Sequence, residues 1–141
     1  MLKISQLSEQ TGITPHTLRF YEKHGLIEAS KRSTGGYRLY SDADVRKAQF
    51  IRTARNSGFS LEDIAALLAI RVDKSSHTCE EVTDITRRKL DEVEEKLREL
   101  NSLCSTLKRL LDSCCGGPDA AVHCSILEAL DSRTITRRRA R

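Results

Sequence analysis

The chain has 141 residues, 31% of them charged and 4% aromatic, enough to bury one modest core, or two small ones joined by a helix, and too little for a large catalytic scaffold. Its net charge of +4 hides an uneven distribution: residues 1–60 carry ten lysines and arginines against five acidic residues, residues 61–132 carry nine against fifteen, and five arginines lie from Arg133 onward. A basic head points either to a polyanionic partner or to a solvated charged surface; "MLKISQLSEQTG" has no apolar h-region and no later run is long or apolar enough to span a bilayer, so a cytoplasmic protein without a membrane partner is expected.

Short helices divide the head. In "ISQLSEQTGI" Ile4, Leu7 and Ile13 share an apolar side and Gly12 ends the helix. In "TPHTLRFYEKHGL" Thr14 is the expected N-cap, Pro15 takes the first helical position and Gly25 closes the element. Two short helices joined by a tight turn make a helix-turn-helix. The second, the recognition helix, offers His16, Thr17, Arg19, Tyr21 and Lys23, with Thr14 at its start, to a DNA groove and its phosphates, while Leu18 and Phe20 are the expected buried positions.

Gly35-Gly36 in "KRSTGGYRLY" reads as the turn of a two-stranded wing. Its Arg32, Tyr37 and Arg38 complete the candidate DNA-binding set, the arginines gripping the backbone while a tyrosine packs beneath. A second helix pair follows, with capping boxes at Ser41/Asp44 and Ser60/Asp63 and a break at Gly58. Val45, Ala48, Ile51, Ala54, Ile64, Leu67 and Leu68 form its core face, leaving Arg46, Lys47, Arg52 and Arg55 to solvent or DNA.

From Glu80 to Ser113, Leu90, Val93, Leu97, Leu100, Cys104, Leu107 and Leu111 recur at alternating spacings of three and four without glycine or proline. One helix cannot bury such a seam alone, so a homodimer is expected, with Cys104 packed in the seam as a small hydrophobe. Gly116-Gly117-Pro118 stops the helix, and "CSILEAL" then forms a short amphipathic segment with Ser125 and Glu128 spaced as a capping box. The fold expected is mainly α: a winged helix-turn-helix DNA-binding domain over residues 1–75, a dimerisation helix over 76–113 with Cys79 at its start, a metal-binding loop and short helix over 114–132, and a basic tail over 133–141 that is disordered.

Five cysteines in a reducing compartment favour metal or redox chemistry over disulfides. Thiolates are soft donors for zinc, cadmium, lead, mercury or copper(I), and Cys114, Cys115 and Cys124 supply up to three from one loop. Cys79 lies about 34 residues earlier, about 50 Å away along one helix. An antiparallel coiled-coil dimer instead sets the start of one helix beside the end of its partner's, so Cys79 of one chain approaches the cysteine loop of the other, giving two symmetric sites. Inert packing and a redox switch stay open as alternatives, although vicinal Cys114 and Cys115 are poor partners for an unstrained disulfide. His77, Asp119 and His123 are further donor candidates. No paired acid and base or nucleophile–histidine arrangement stands out, so no enzyme is expected.

Taken together, "TPHTLRFYEKHGLI", "GGYRLY", "FIRTARNSGFSLEDI", the long helix and the cysteine loop resemble the MerR family of transcriptional regulators along nearly the whole chain. "HTC" at 77–79, "CCG" at 114–116 and "CSILEAL" at 124–130 carry a likeness to its zinc-responsive members. The resemblance implies a dimer on a palindromic promoter with an overlong spacer, which represses without metal and activates RNA polymerase with metal by bending and untwisting the operator, turning on metal-export or resistance genes. It implies that Cys79 marks divalent-metal sensing, that Cys114 and Cys124 are loop ligands, and that Cys115 helps hold a second ion. Zinc sensors have a histidine as another donor to that ion where this chain has Asp119; His123 is a substitute candidate. Zn2+ is the expected effector, with Cd2+ or Pb2+ as the alternative and a redox-responsive regulator of the same fold as the more distant one.

Overall fold

The first two helices end where local chemistry stops them. In the computed structural model, which describes residues 1–132, α1 spans Ile4–Thr11 and is closed by Gly12 at a φ of 74°, a left-handed conformation that a β-carbon disfavours. α2 spans Pro15–Lys23; Pro15 opens it and the Thr14 hydroxyl accepts the Thr17 amide at 3.2 Å, satisfying one of the donors a helix start leaves over. The wing is a pair of two-residue antiparallel strands, β1 Lys31–Arg32 and β2 Arg38–Leu39, with Arg32 opposite Arg38. Leu2 pairs with Tyr40 through two backbone hydrogen bonds of 2.8 Å, which ties the start of the chain to the end of the wing.

α3 spans Asp42–Asn56 and α4 spans Leu61–Val72, and both start with the expected reciprocal capping boxes, Ser41 with Asp44 and Ser60 with Asp63. The seven core positions read from this helix pair are all buried, and with Leu7, Leu18, Leu26, Ile27 and Tyr40 they make the core. Fully burying each large side chain contributes about 1.5–3 kcal/mol. Two arginines expected at the surface are exposed there and also hold the backbone: Arg52 donates to the Thr11 carbonyl at 2.9 Å and Arg55 to the Phe59 carbonyl at 3.1 Å. Arg52 thereby satisfies a carbonyl that the end of α1 leaves without an intrahelical partner.

One expected burial is reversed. Tyr21, placed among the groove-facing residues, is 6% exposed, whereas Phe20, placed in the core, is 42% exposed. Leu18 and Tyr21 are three apart and share a helix face, which Phe20 does not.

α5 spans Cys79–Asp112 and α6 spans Ser125–Asp131, with 3₁₀ turns at Lys74–Ser76 and Ala121–His123. The chain divides into two compact units, Met1–Lys89 and Leu90 onward, and the division falls inside α5. Ile85 is buried and Lys89 Nζ reaches Asp63 at 3.9 Å, which joins the first turns of α5 to the N-terminal unit. In the second unit Thr106 and Leu110 are buried, while Leu90, Val93, Leu97, Leu100, Leu107 and Leu111 stay exposed and Cys104 with them. The expected capping box at Ser125 does not form: Cys124 is the N-cap of α6 and Ser125 is its first helical residue. The basic tail, 133–141, lies outside the described residues. Among those described, no helix is long and apolar enough to cross a membrane.

Candidate DNA interface and metal loop

α2 and the wing enclose a cleft of about 540 Å³ lined by Arg19, Lys23, Lys31, Arg32 and Arg38, with Glu22 and Glu28. Five cations against two carboxylates make it attractive to phosphate. His16, Arg19 and Lys23 are exposed on α2 and Thr17 is half-buried, its hydroxyl 2.9 Å from that of Thr14. Tyr21 is not free to enter a groove with its ring, which packs in the core. Arg32 donates to the Gly36 carbonyl at 2.9 Å and so braces the wing turn. Tyr37 is exposed at the wing tip, and the tyrosine that packs beneath is Tyr40, fully buried.

Arg19 and Arg38 also line a second hollow of about 360 Å³, which Tyr37 and Lys3 share. The Lys3 ammonium lies 5.2 Å from the Tyr37 ring centre, within cation–π range. Lys3 was absent from the sequence-derived set because its place depends on the Leu2–Tyr40 pairing, which local pattern does not announce. Glu22 was missed for the same reason. It accepts the Tyr40 hydroxyl and pairs with Arg38 at 3.0 Å. Burial, reinforced by the Glu22 hydrogen bond and its negative charge, pushes the Tyr40 phenol well above its ordinary range.

In the second unit, Cys114 and Cys124 converge, their Sγ atoms 3.9 Å apart and both residues half-buried. Hydrogen bonds from the Leu127 amide first, and then from Ile126 and Cys114, lower the Cys124 thiol below its ordinary range, against the opposing effects of desolvation and Glu128; this favours the thiolate, the form that binds metal. Cys115, Asp119 and His123 are exposed nearby in sequence. None of them joins the pair, since among the described residues no three His, Cys, Asp or Glu side chains gather to hold an ion. The donor set nevertheless fits a thiophilic divalent ion: two thiolates bound tetrahedrally at about 2.3 Å stand about 3.8 Å apart.

Cys79, the first residue of α5, belongs to the N-terminal unit and is exposed. It lies on the wall of a hollow of about 680 Å³ with Phe50, Phe59, Leu67, Ile70 and Val82. The preceding turn is fixed by Glu81, which accepts the Thr78 amide at 2.6 Å and faces His77 Nδ1 at 3.0 Å. Those two contacts, His77 first, hold the Glu81 carboxyl below its ordinary range.

Two family models match the sequence, the MerR HTH family regulatory protein over residues 2–69 and the MerR DNA-binding region over residues 45–110. The HTH-type transcriptional regulator ZntR of Escherichia coli K12 is 47% identical over 131 residues, 93% of each chain. The chain belongs to the MerR family. As a MerR-family protein it is a DNA-binding transcriptional regulator, and the winged cleft is the part of the fold suited to DNA. Two solved metal complexes of family members resemble it. The transcription regulator PbrR691 of Ralstonia metallidurans CH34 with lead(II) has a TM-score of 0.81 at 32% identity, covering 92% of this chain and 99% of that one. MerR of Bacillus megaterium MB1 with mercury(II) has a TM-score of 0.66 at 27% identity, covering 89% and 95%.

Proposed function

We propose that this chain is a zinc-responsive transcriptional activator that works as a homodimer on promoter DNA. The observation that carries the metal reading is the 3.9 Å approach of Cys114 and Cys124, a spacing suited to two thiolates on one tetrahedral ion. Two thiolates leave such a site short of donors. The exposed seam of α5, Leu97 and Leu100 at its middle, supports pairing with a second copy; antiparallel pairing supplies Cys79 of the partner as the third thiolate, and Cys115 with Asp119 or His123 is the donor set for a second ion. The 47% identity to a regulator named for zinc over 93% of the chain supports zinc as the effector.

Metal changes transcription only to the extent that it binds one state of the dimer more tightly than the other. A site shared between subunits fits that requirement, because its ligands come together in only one relative arrangement. The state favoured by metal would be the one that bends and untwists the operator for RNA polymerase, at a deformation cost the metal-binding free energy offsets. The lead(II) complex of a 32%-identical relative favours lead as the second reading, since thiolate donors alone do not separate zinc, cadmium and lead.

The test is transcription in vitro from the cognate promoter with purified polymerase, across buffered series of free zinc, cadmium and lead. Activation by zinc at the lowest free concentration is expected. Activation by lead or cadmium with no response to zinc would reassign the effector, and no response to any of the three would remove the metal reading.

A further inference from the structure

Glu22 is a carboxylate in the wall of the cationic cleft, three residues beyond Arg19 on α2. On electrostatic grounds it opposes a phosphate backbone. Its two oxygens are divided between two partners. Oε1 accepts the hydroxyl of Tyr40, whose side chain is fully buried, and Oε2 meets Arg38 Nε at 3.0 Å. The carboxylate is 14% exposed and the Arg38 side chain 44%. The approach that defines the pair is through the Nε edge of the guanidinium. Arg38 meanwhile lines both cationic hollows of the N-terminal unit.

We infer that Glu22 is a positioning residue for DNA binding: it holds the Arg38 guanidinium between recognition helix and wing with the Nη edge turned to the phosphate backbone, and anchors that geometry on Tyr40. Held this way, the fork is oriented before DNA arrives and less rotamer freedom is lost on contact. The inference rests on the reading of Arg38 as a phosphate contact.

The test is a double-substitution cycle on operator affinity, measured by fluorescence anisotropy at one fixed salt concentration with thermal melting of each variant in parallel. Glu22→Gln keeps the shape and an acceptor but gives up the charge that holds the guanidinium. It should weaken binding about threefold to tenfold, in the range of coupled contact pairs, although removing a negative charge facing DNA would by itself strengthen binding. In an Arg38→Ala background the same substitution should no longer weaken it. Equal weakening with and without Arg38 would make Glu22 a support of the fold alone, and tightening in both backgrounds would make it only a repulsive charge. Arg38→Lys gives a second reading that leaves Glu22 intact. It preserves charge but lacks the fork, so its loss of affinity should approach that of Arg38→Ala, and wild-type affinity would overturn the inference. Unchanged affinity in Arg38→Ala itself would instead remove the phosphate contact on which the inference rests.

Discussion

Residues 1–89 enclose most of their large apolar side chains, whereas residues 90–132 display most of theirs. In the first unit Leu7, Leu18, Tyr40, Ile51 and Ile64 are sealed from solvent; in the second, Leu97 is 56% and Leu111 69% exposed along an otherwise uninterrupted helix. A heptad stripe of this kind is buried by a second helix or not at all. The contrast separates two ways of being stable: the head draws on its own core, and in the proposed dimer the seam would draw on a second copy.

The strongest attempt to break that contrast is Leu97→Lys together with Leu100→Lys. Each lysine puts an uncompensated charge into the proposed dimer contact, at a cost of about 3–5 kcal/mol where it is fully buried. Analytical sedimentation should find a monomer, and zinc binding and operator protection should fall together, while amide exchange in α1–α4 stays slow. A stable dimer in this variant would show that the seam is not the interface.

A smaller effect is expected from Arg19→Ala, which removes a cation from both cationic hollows of the head. If Arg19 reads a base, operator binding should weaken by about 1–3 kcal/mol and discrimination against random DNA should relax. Zinc stoichiometry should not change, because Arg19 lies on α2 and none of the proposed donors, Cys79, Cys114, Cys115, Cys124, Asp119 or His123, is on that helix. Unchanged operator affinity at matched salt would remove Arg19 from the interface.

The gentlest probe compares Gly12→Ala with Gly116→Ala. Both glycines have left-handed backbone, φ 74° and 68°, a strain of about 1–2 kcal/mol for alanine. At Gly12 the new β-carbon would also meet Arg52 Nη1 at 2.9 Å, whereas at Gly116 nothing stands within 4 Å. Gly12→Ala should therefore lower the melting temperature of the head by several degrees, about 4–8 °C per kcal/mol for a domain of this size. Gly116→Ala should leave that transition in place. Equal shifts in the head transition would show that the two units do not melt separately.

Much of the head was legible in sequence because its signals are local. Thr14-Pro15, Gly12 and the Ser41/Asp44 and Ser60/Asp63 boxes act within three or four residues, and each fixed an element end. The errors came where residue type was weighed above spacing, or where the partner is distant in sequence. Phe20 was assigned to the core for its apolarity, yet Tyr21 holds the position three residues from Leu18 and is the one buried. At α6, the serine with a glutamate three residues on looked like a cap, but the 3₁₀ turn at Ala121–His123 leads into the helix one residue earlier, so Cys124 takes the cap position. Lys3 and Glu22 gain their roles through Tyr37 and Tyr40, 34 and 18 residues away. The cysteine loop was readable as a thiolate cluster, and the fold narrows it to one convergent pair, Cys114 with Cys124.

The claim that the metal site is shared between subunits is tested most directly by a heterodimer in which one chain carries Cys79→Ser and its partner carries Cys114→Ser and Cys124→Ser. With differently tagged chains, zinc is counted per purified dimer at buffered free metal. A shared site predicts half the tightly bound zinc of the wild-type dimer in the heterodimer, from the intact Cys79 of one chain and the intact loop of the other, and none in either parent homodimer. A heterodimer without tightly bound zinc, from chains that dimerise and protect the operator normally, would contradict it.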